Sequence, residues 1–409
     1  MTQHTQKKDR SVIVVGAGPV GLIAGLALRN LGLSATIMEA EPEGRKRPGS
    51  RAIYFHKATL IHLESIFPGL GYTLAKNGLV WPIKRTFFRG KEVFVKDYGP
   101  TDPNQLPPFT SLPQDRAEQF MFDACLQAGV EFVWKTPIRQ VETSPAGATL
   151  TTKAGDVWSA DYVIGADGAR SSVRTTAGMK LEGPRTNDTF LVVDVKEDEE
   201  SPLPLERVFH YEHPAMGGRN VMFVPFVGGW RVDLQLLEHD DPEEYSHPEG
   251  VRRWIQKVMP AKYGERVTWV STYRFHQVVA DSFTDQHGKV LLAGEAAHLF
   301  APFGARGLNS GTPDAIKAAQ GIHTALSARD DQAAKQAIFA AAHERRIAAL
   351  WNRDCSSTAL EHLQGNSPAM KMKRELAASL SGLVPSLGRW LDEGPYGPKS
   401  GPPELTTKY

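Results

Sequence analysis

The chain has little of what marks a membrane, secreted or nucleic-acid-binding protein. Only two cysteines occur in 409 residues, Cys125 and Cys355, outside any CxxC spacing, which supports neither a disulfide framework nor a zinc site. No apolar run is long enough to span a bilayer, and the polar N-terminus lacks the apolar core of a secretory signal. The 47 basic and 46 acidic residues give a net charge of +1, too little to attract nucleic acid. We therefore expect buried thiols, no metal, and a cytoplasmic protein without a nucleic-acid partner.

A glycine-rich turn near the N-terminus predicts a dinucleotide site. The run VIVV at 12–15 is typical of a parallel strand buried on both faces. In the turn that follows, Gly16 permits the tight bend, Gly18 lets a phosphate approach, and Gly21 lets the helix pack closely. The next strand ends at Glu39, 39 − 16 = 23 residues after the first glycine, where an acid can accept both hydroxyls of an adenosine ribose.

Two later segments extend this pattern. YVIGADGARSSVR places Asp167 and Gly168 directly after a buried strand, and VLLAGEAAHLFAPFGARGLNSG follows a third such strand. The helix after the last segment is predicted to begin near 310–313, and its positive end favours negative charge placed there.

The three segments, in this order, resemble the group A aromatic hydroxylases of the para-hydroxybenzoate hydroxylase type, over roughly residues 10–390. The resemblance implies one tightly but non-covalently bound FAD, with O2 as co-substrate. It also implies NADH or NADPH as a transient donor, because the chain has no second GxGxxG unit. The implied reaction inserts one oxygen atom, through a C4a-hydroperoxyflavin, into an electron-rich aromatic or N-heteroaromatic small molecule such as a phenol or hydroxypyridine. No thioredoxin-like domain of the phenol hydroxylase kind is expected.

The resemblance also assigns positions. It places Arg51 at the FAD pyrophosphate, Gln114 at the ribityl chain, and Pro302 beside the flavin C4a. The other cofactor positions that match are Gly16, Gly18, Gly21, Glu39, Asp167, Gly168, Glu295, Gly304, Gly307, Leu308 and Asn309. The carboxylate of Asp167 is expected either at the FAD ribose or in an ordering hydrogen bond.

Two positions depart from the family pattern. Glu295 replaces an aspartate and is one methylene longer, so its contact with the cofactor is expected to be displaced or bridged by water. Arg306 adds a cation that either biases the flavin potential, meets an acidic substrate, or faces solvent.

The predicted fold class is α/β, with an α+β substrate domain: a Rossmann-like FAD-binding domain with a parallel sheet, a mainly antiparallel substrate sheet, and C-terminal helices. The predicted boundaries are 10–183 and 286–330 for the two parts of the FAD-binding domain, 184–285 for the substrate domain, 331–392 for the C-terminal helices, and 393–409 for a flexible tail. The substrate sheet is predicted from the alternating runs TFLVVDVK, ERVFHYE, NVMFVPFV, GWRVDLQLL and VTWVSTYRF.

Polar residues of this sheet are the substrate candidates. A period of two places Arg231, Asp233 and Gln235 on one face, which either lines the site or is solvated. Catalytic candidates that could assist deprotonation of a ring hydroxyl are His210, Tyr273 and His276.

Other functions remain open on the same scaffold. They are a flavin oxidase, a Baeyer–Villiger-type or ring-opening oxygenase, and a non-enzymatic flavin sensor. The sequence is compatible with a monomer or a homodimer.

Overall fold

The computed structural model describes residues 7–45 and 48–398, without the side chains of 7–11 and 185–188. Its strands, numbered in chain order, are β1 Lys7–Val15, β2 Thr36–Met38, β3 Tyr54–His56, β4 Ile83–Phe88, β5 Lys91–Asp97, β6 Phe109–Ser111, β7 Glu131–Val133, β8 Ile138–Ser144, β9 Gly147–Thr152, β10 Val157–Gly165, β11 Leu181–Glu182, β12 Arg185–Lys196, β13 Glu206–Tyr211, β14 Val221–Phe226, β15 Gly229–Gln235, β16 Val267–His276, β17 Val278–Ala280, β18 Val290–Leu292 and β19 His298–Leu299.

The helices are α1 Pro19–Asn30, α2 Lys57–Ile66, α3 Leu70–Asn77, α4 Gln114–Gln127, α5 Ser172–Thr176, α6 Pro242–Ser246, α7 Pro248–Val258, α8 Arg306–Leu326, α9 Asp331–Gln364, α10 Pro368–Leu380 and α11 Pro385–Glu393. None of the helices within 7–45 and 48–398 combines the length and hydropathy needed to cross a membrane.

The first large sheet has a parallel core. Strands β7, β2, β1, β10 and β18 run parallel, and β9 and β8 extend the sheet as an antiparallel meander from β10. The side chains of 12–15 are almost fully buried, because helices cover both faces of a parallel sheet. Helices α1, α4 and α8 close this core, and Cys125 of α4 lies in it as a buried free thiol. Cys355 is also free and buried, as predicted.

The second large sheet has the order β16-β12-β15-β14-β13-β4-β5. All five strands expected between 184 and 285 form and pair antiparallel to one another. Strands β4 and β5 come from the segment predicted as FAD-binding, and β4 pairs parallel with β13. One face of the sheet packs on α7, and the other packs on the C-terminal helices and on Phe303. The mixed architecture agrees with the predicted fold class.

Candidate active site

The three glycine-containing segments meet at one edge of the parallel sheet. Val15 pairs with Met38 and with Gly165, and Gly165 pairs with Leu292. Parallel strands in this register end together, so the loops after β1, β2, β10 and β18 emerge side by side. Ligands of open α/β sheets bind at such carboxyl ends.

The first turn is closed by backbone contacts that only glycine permits. A Cβ on Gly21 would lie 1.8 Å from the Gly16 carbonyl oxygen, and a Cβ on Gly16 would lie 2.5 Å from the carbonyl oxygen of Ala166. Gly16 also has a φ of 102°, which side chains disfavour. Helix α1 starts directly after Gly18, so its first amides point out of the edge toward any phosphate placed there.

Glu39 lies buried beside this turn. Its two carboxylate oxygens accept hydrogen bonds from the amides of Ala17 (2.6 Å) and Glu41 (3.0 Å). Arg45 lies 3.6 Å from the same carboxylate and donates to the Ala17 carbonyl at 2.7 Å. Each carboxylate oxygen keeps a further lone pair for a ribose hydroxyl. Arg45 was not singled out in the sequence, where it was one of several basic residues in a loop.

The loop that carries Arg51 is held by the substrate sheet. Asp194 accepts hydrogen bonds from the amide (2.5 Å) and hydroxyl (2.7 Å) of Ser50. Arg231 donates to the Arg51 carbonyl at 2.6 Å and forms an ion pair with Asp233 at 2.8 Å. Arg51 itself adopts a φ of 50°, a strained value for a non-glycine residue. The sheet therefore fixes this backbone, and the charges of Arg231 and Asp233 largely satisfy each other.

Gln114 and Asp167 both order the backbone around the edge. Gln114 begins α4, and its side-chain oxygen accepts from the Ala52 amide at 3.2 Å. Asp167 accepts from the amides of Ser172 (2.8 Å) and Val173 (3.1 Å) at the start of α5. Of the two roles expected for Asp167, the structure displays the ordering hydrogen bond.

Behind the third segment lies a buried polar cluster. Asp314 accepts hydrogen bonds from Arg345 Nε (2.8 Å) and from the Gly294 amide (3.2 Å), and its carboxylate lies 2.7 Å from His298 Nε2. Burial alone would raise the pKa of Asp314, but the charge of Arg345 and the contact with His298 hold it below its usual value. Glu295, next to Gly294, is exposed at the edge of the sheet.

Helix α8 begins at Arg306, earlier than the predicted 310–313. The turn into it uses left-handed backbone at Gly304 (φ 75°) and Ala305 (φ 51°). The amides of Gly307, Leu308 and Asn309 therefore belong to the first helical turn, and the space beside Gly307 is open. The Asn309 side chain is used internally: it donates to the Tyr54 carbonyl and accepts from the Thr59 hydroxyl and the His56 amide. Only its backbone is available to a ligand.

The structure favours none of the roles considered for Arg306. Its side chain is 1% exposed and donates to Asn352 Oδ1 (2.7 Å) and to the carbonyls of Tyr396 and Pro398 (3.0 Å each). The prediction that Arg306 faces solvent is wrong, because its guanidinium donates to these three acceptors in the protein interior. Residues 394–398 are thereby packed rather than part of a flexible tail, while 399–409 lie outside the described residues.

The predicted catalytic residues of the second sheet do not share one surface. His210 pairs with Val221, which pairs with Leu234, so His210 lies on the α7 side, opposite to Asp233. Its ring stacks on Phe87, and burial, aided by the charge of His213, lowers its pKa to about 4. His210 is therefore not placed to transfer a proton at the flavin near neutral pH.

Tyr273 and Gln235 both pair with Phe190 and lie on the side that faces the flavin loop. His276 follows Phe275, which packs on Phe303, so strand alternation directs His276 away from that contact. Among the predicted site residues on this inner face, Arg231 and Asp233 bind each other, whereas Gln235 and Tyr273 keep polar groups that a ligand could use.

A cavity of about 940 Å³ lies between β5, α11 and the chain around Tyr54 and Phe109. Tyr54 and Phe109 line this cavity and their rings stack at 5.0 Å, and the Tyr54 carbonyl accepts a hydrogen bond from the Asn309 side chain at the start of α8. Other residues that line it are Lys84, Tyr98, Asp392 and Tyr396. Sequence reasoning missed these residues because they come from β4, from the chain after β5, and from the C-terminus, which only the fold brings together.

Comparison with known proteins agrees with this geometry. The profile of the family described as "FAD binding domain" matches residues 9–353. Para-nitrophenol 4-monooxygenase from Pseudomonas sp. (strain WBC-3) is 28% identical over 322 residues, covering 76% of this chain and 77% of that protein. The 6-hydroxy-3-succinoylpyridine 3-monooxygenase HspB of Pseudomonas putida (strain DSM 28022 / S16) is 27% identical over 331 residues, covering 75% and 77%.

Solved structures share the fold. The crystal structure of p-nitrophenol 4-monooxygenase PnpA from Pseudomonas putida DLL-E4 superimposes with a TM-score of 0.77 at 22% identity, covering 96% of this chain and 100% of that one. The tetrameric form of 2-methyl-3-hydroxypyridine-5-carboxylic acid oxygenase gives a TM-score of 0.72 at 20% identity, covering 89% and 95%.

The parallel sheet, the glycine cradle at its carboxyl edge and the second sheet define a flavin-binding oxidoreductase. The chain belongs to the FAD-binding domain family and, within it, to the class A FAD-dependent aromatic hydroxylases. It is therefore an FAD-dependent enzyme, as the sequence predicted.

Proposed function

We propose that the protein is an NAD(P)H-consuming monooxygenase that adds one oxygen atom from O2 to a small phenol-like or hydroxypyridine-like molecule. The observation that carries this proposal is that Tyr54, which lines a cavity together with Phe109, also accepts a hydrogen bond from Asn309 in the first turn of α8. The names of the relatives, a nitrophenol and a succinoylpyridine monooxygenase, support a substrate of this class.

The residues at the sheet edge fit FAD. A side chain at Gly16 or Gly21 would collide with neighbouring backbone, and Glu39 is buried beside this turn with lone pairs free for a ribose. Arg45 joins Arg51 as a cation near the phosphates, which adds charge-assisted hydrogen bonding. We assign Gln114, Gly168 and Glu295 to the middle of the cofactor and the loop from Gly304 to Asn309 to its ring.

This chain's residues then supply position and electrostatics. Bound FAD supplies hydride acceptance from the nicotinamide and activation of O2. The amides of Gly307, Leu308 and Asn309, at the positive end of a 21-residue helix, stabilise negative charge on the ring without reorganisation. Pro302 remains our assignment beside the reacting face, and Tyr273 remains a candidate for proton transfer, whereas His276 faces away from the flavin loop. The oxygen-transfer route implied by the resemblance stays a prediction.

The test is aerobic NADH and NADPH consumption by the FAD-loaded protein over a panel of phenols and hydroxypyridines. Products are analysed by mass spectrometry under ¹⁸O2. We expect one compound that accelerates nicotinamide oxidation and gains one labelled oxygen atom. Peroxide formation without a labelled product would instead identify an oxidase. A labelled lactone or ring-opened product would identify one of the other oxygenases. Failure of every ligand to accelerate reduction would favour a flavin sensor.

A further inference from the structure

The cavity that Tyr54 and Phe109 line is long as well as large. Every residue from Lys91 to Tyr98 lines it, so the cavity follows β5, the edge strand of the second sheet, from end to end. A strand extends by about 24 Å over these seven steps, at about 3.4 Å per residue. The volume of about 940 Å³ lies at the upper end of the roughly 300–1,000 Å³ of pockets that bind drug-sized ligands. A single hydroxylated ring fills only a small part of this space.

The Tyr98 end of the cavity is connected to the first turn of α8. The Tyr98 ring meets Phe109 edge-on at 5.4 Å, and Phe109 stacks on Tyr54. The Tyr54 carbonyl accepts a hydrogen bond from Asn309 in that turn. Since we assign the flavin ring to the same turn, a reacting ring belongs at the Tyr98 end.

The cavity lies between packed elements. Helix α11 is fixed against the sheet at two points. A Cβ on Gly388 would lie 2.1 Å from the Val93 carbonyl oxygen of β5, and Asp392 pairs with Lys84 of β4. The cavity walls are therefore formed before a ligand binds, as is usual for small-molecule sites.

A second pair of aromatic rings lines the cavity beyond Tyr98. The rings of Phe94 and Tyr396 lie 5.7 and 5.2 Å from Lys84 Nζ, and all three residues line the cavity. Phe94 comes four residues before Tyr98, about 14 Å along the strand. Aromatic walls of this kind favour a further planar ring through stacked or edge-on contacts.

The charged side chains of the walls balance one another. Four basic and four acidic residues line the cavity, and within this set Lys84 pairs with Asp392. Lys96 lies over the Tyr98 ring at 4.6 Å. The walls therefore favour neither an acid nor an amine, and the property that they can select is the length of the ligand.

We propose that the substrate is an extended aromatic molecule, a phenol or hydroxypyridine joined to at least one further ring. The hydroxylated ring lies at the Tyr98 end, and the further ring lies along β5 at Phe94 and Tyr396, which determine the preference for this size. This inference rests on the proposed function and narrows its substrate class.

The test compares one-ring ligands with counterparts that carry a second ring. The probes are phenol with 4-phenylphenol, and 3-hydroxypyridine with 6-phenyl-3-hydroxypyridine. Calorimetry on FAD-loaded protein at pH 7 gives the dissociation constants. We expect at least one two-ring ligand to bind about 10- to 100-fold more tightly than its one-ring counterpart, the gain that burial of a phenyl group supplies.

Two variants remove the aromatic walls separately. Phe94→Ala and Tyr396→Leu should each reduce the affinity for the two-ring ligand by about three- to tenfold, the range of a lost aromatic contact, and leave the affinity for the one-ring ligand unchanged. Tyr396→Leu keeps the main-chain hydrogen bond to Arg306. Phe339→Ala is the matched control, because Phe339 is a half-exposed ring of α9 that does not line the cavity. The flavin absorbance spectrum and thermal unfolding report whether each variant is folded.

Equal affinity for one-ring and two-ring ligands would overturn the inference. An unchanged ratio of the two affinities in both cavity variants, or in the one that folds, would also overturn it, as would an equal loss in Phe339→Ala. Should a one-ring phenol be oxygenated while the two-ring ligands do not bind, the inference fails and the proposed function stands. Two-ring ligands that bind here and yield no oxygenated product would overturn the proposed function together with their role as substrates.

Discussion

The cluster around Asp314 should dominate the stability of the flavin edge. Asp314 is 1% exposed and joins α8 to Arg345 of α9, to His298, and to the amide of Gly294. Asp314→Asn removes the negative charge that faces Arg345 and His298. It also replaces one acceptor oxygen by an NH2 donor, which would face the Gly294 amide. Breaking a buried ion pair in this way costs about 3–5 kcal/mol, a large part of the roughly 5–15 kcal/mol that stabilises a typical domain.

Urea unfolding with saturating FAD, followed by far-ultraviolet circular dichroism, measures this loss. Asp354→Asn is the control, because Asp354 pairs with its neighbour Arg353 at the surface, where such pairs contribute about 0–1 kcal/mol. If Asp314→Asn stays within about 1 kcal/mol of the unsubstituted protein at pH 7, the reasoning is refuted.

The pH dependence gives a second check on the same substitution. The pKa of Asp314 is lowered in the folded state, so its contribution is fully present above the unfolded pKa of about 3.9 and is lost as the pH falls through the lower folded value. The stability difference between Asp314→Asn and the unsubstituted protein should therefore be constant from pH 7 to about 5 and shrink below about pH 4. A difference that grows on acidification would contradict this sign.

Three further outcomes are expected. Gly21→Ala should abolish FAD binding, since its Cβ would meet the Gly16 carbonyl oxygen at 1.8 Å; retention of the flavin spectrum after gel filtration would contradict the close contact. Arg306→Met should release the C-terminal segment, because three hydrogen bonds are lost, and limited proteolysis should then cut near residue 396 at least about tenfold faster; unchanged cleavage would refute this. Burial raises the pKa of the Cys125 thiol, so in native protein it should react with a thiol reagent only as fast as the protein unfolds; rapid labelling would show that it is accessible.

Local patterns predicted most elements of the fold. Period-two alternation identified the five strands from β12 to β16, and the spacing from Gly16 to Glu39 predicted the first βαβ unit. These predictions succeed because strand burial and tight turns depend on residues close in sequence. The start of α8 was misplaced, since left-handed backbone at Ala305 has no local signal in a residue other than glycine.

The candidate site was predictable only in part. His210 and Arg207 lie three residues apart on β13. The alternation of side chains along a strand therefore predicts that they lie on opposite faces of the sheet, but it does not predict which face is turned toward the flavin loop. That choice depends on α7 covering one face and the C-terminal helices covering the other. Strand β4, which brings Lys84 beside Arg207, joins the sheet from more than a hundred residues away.

The sequence by itself therefore determined the cofactor and the class of enzyme, because FAD recognition depends on short motifs at the ends of strands. Only the tertiary structure shows which partners the buried arginine side chains have. Arg306 binds the C-terminal carbonyls, and Arg231 binds Asp233 and the Arg51 backbone. The physical reason is that a buried charge needs an internal partner, and which partner it meets depends on residues distant in sequence.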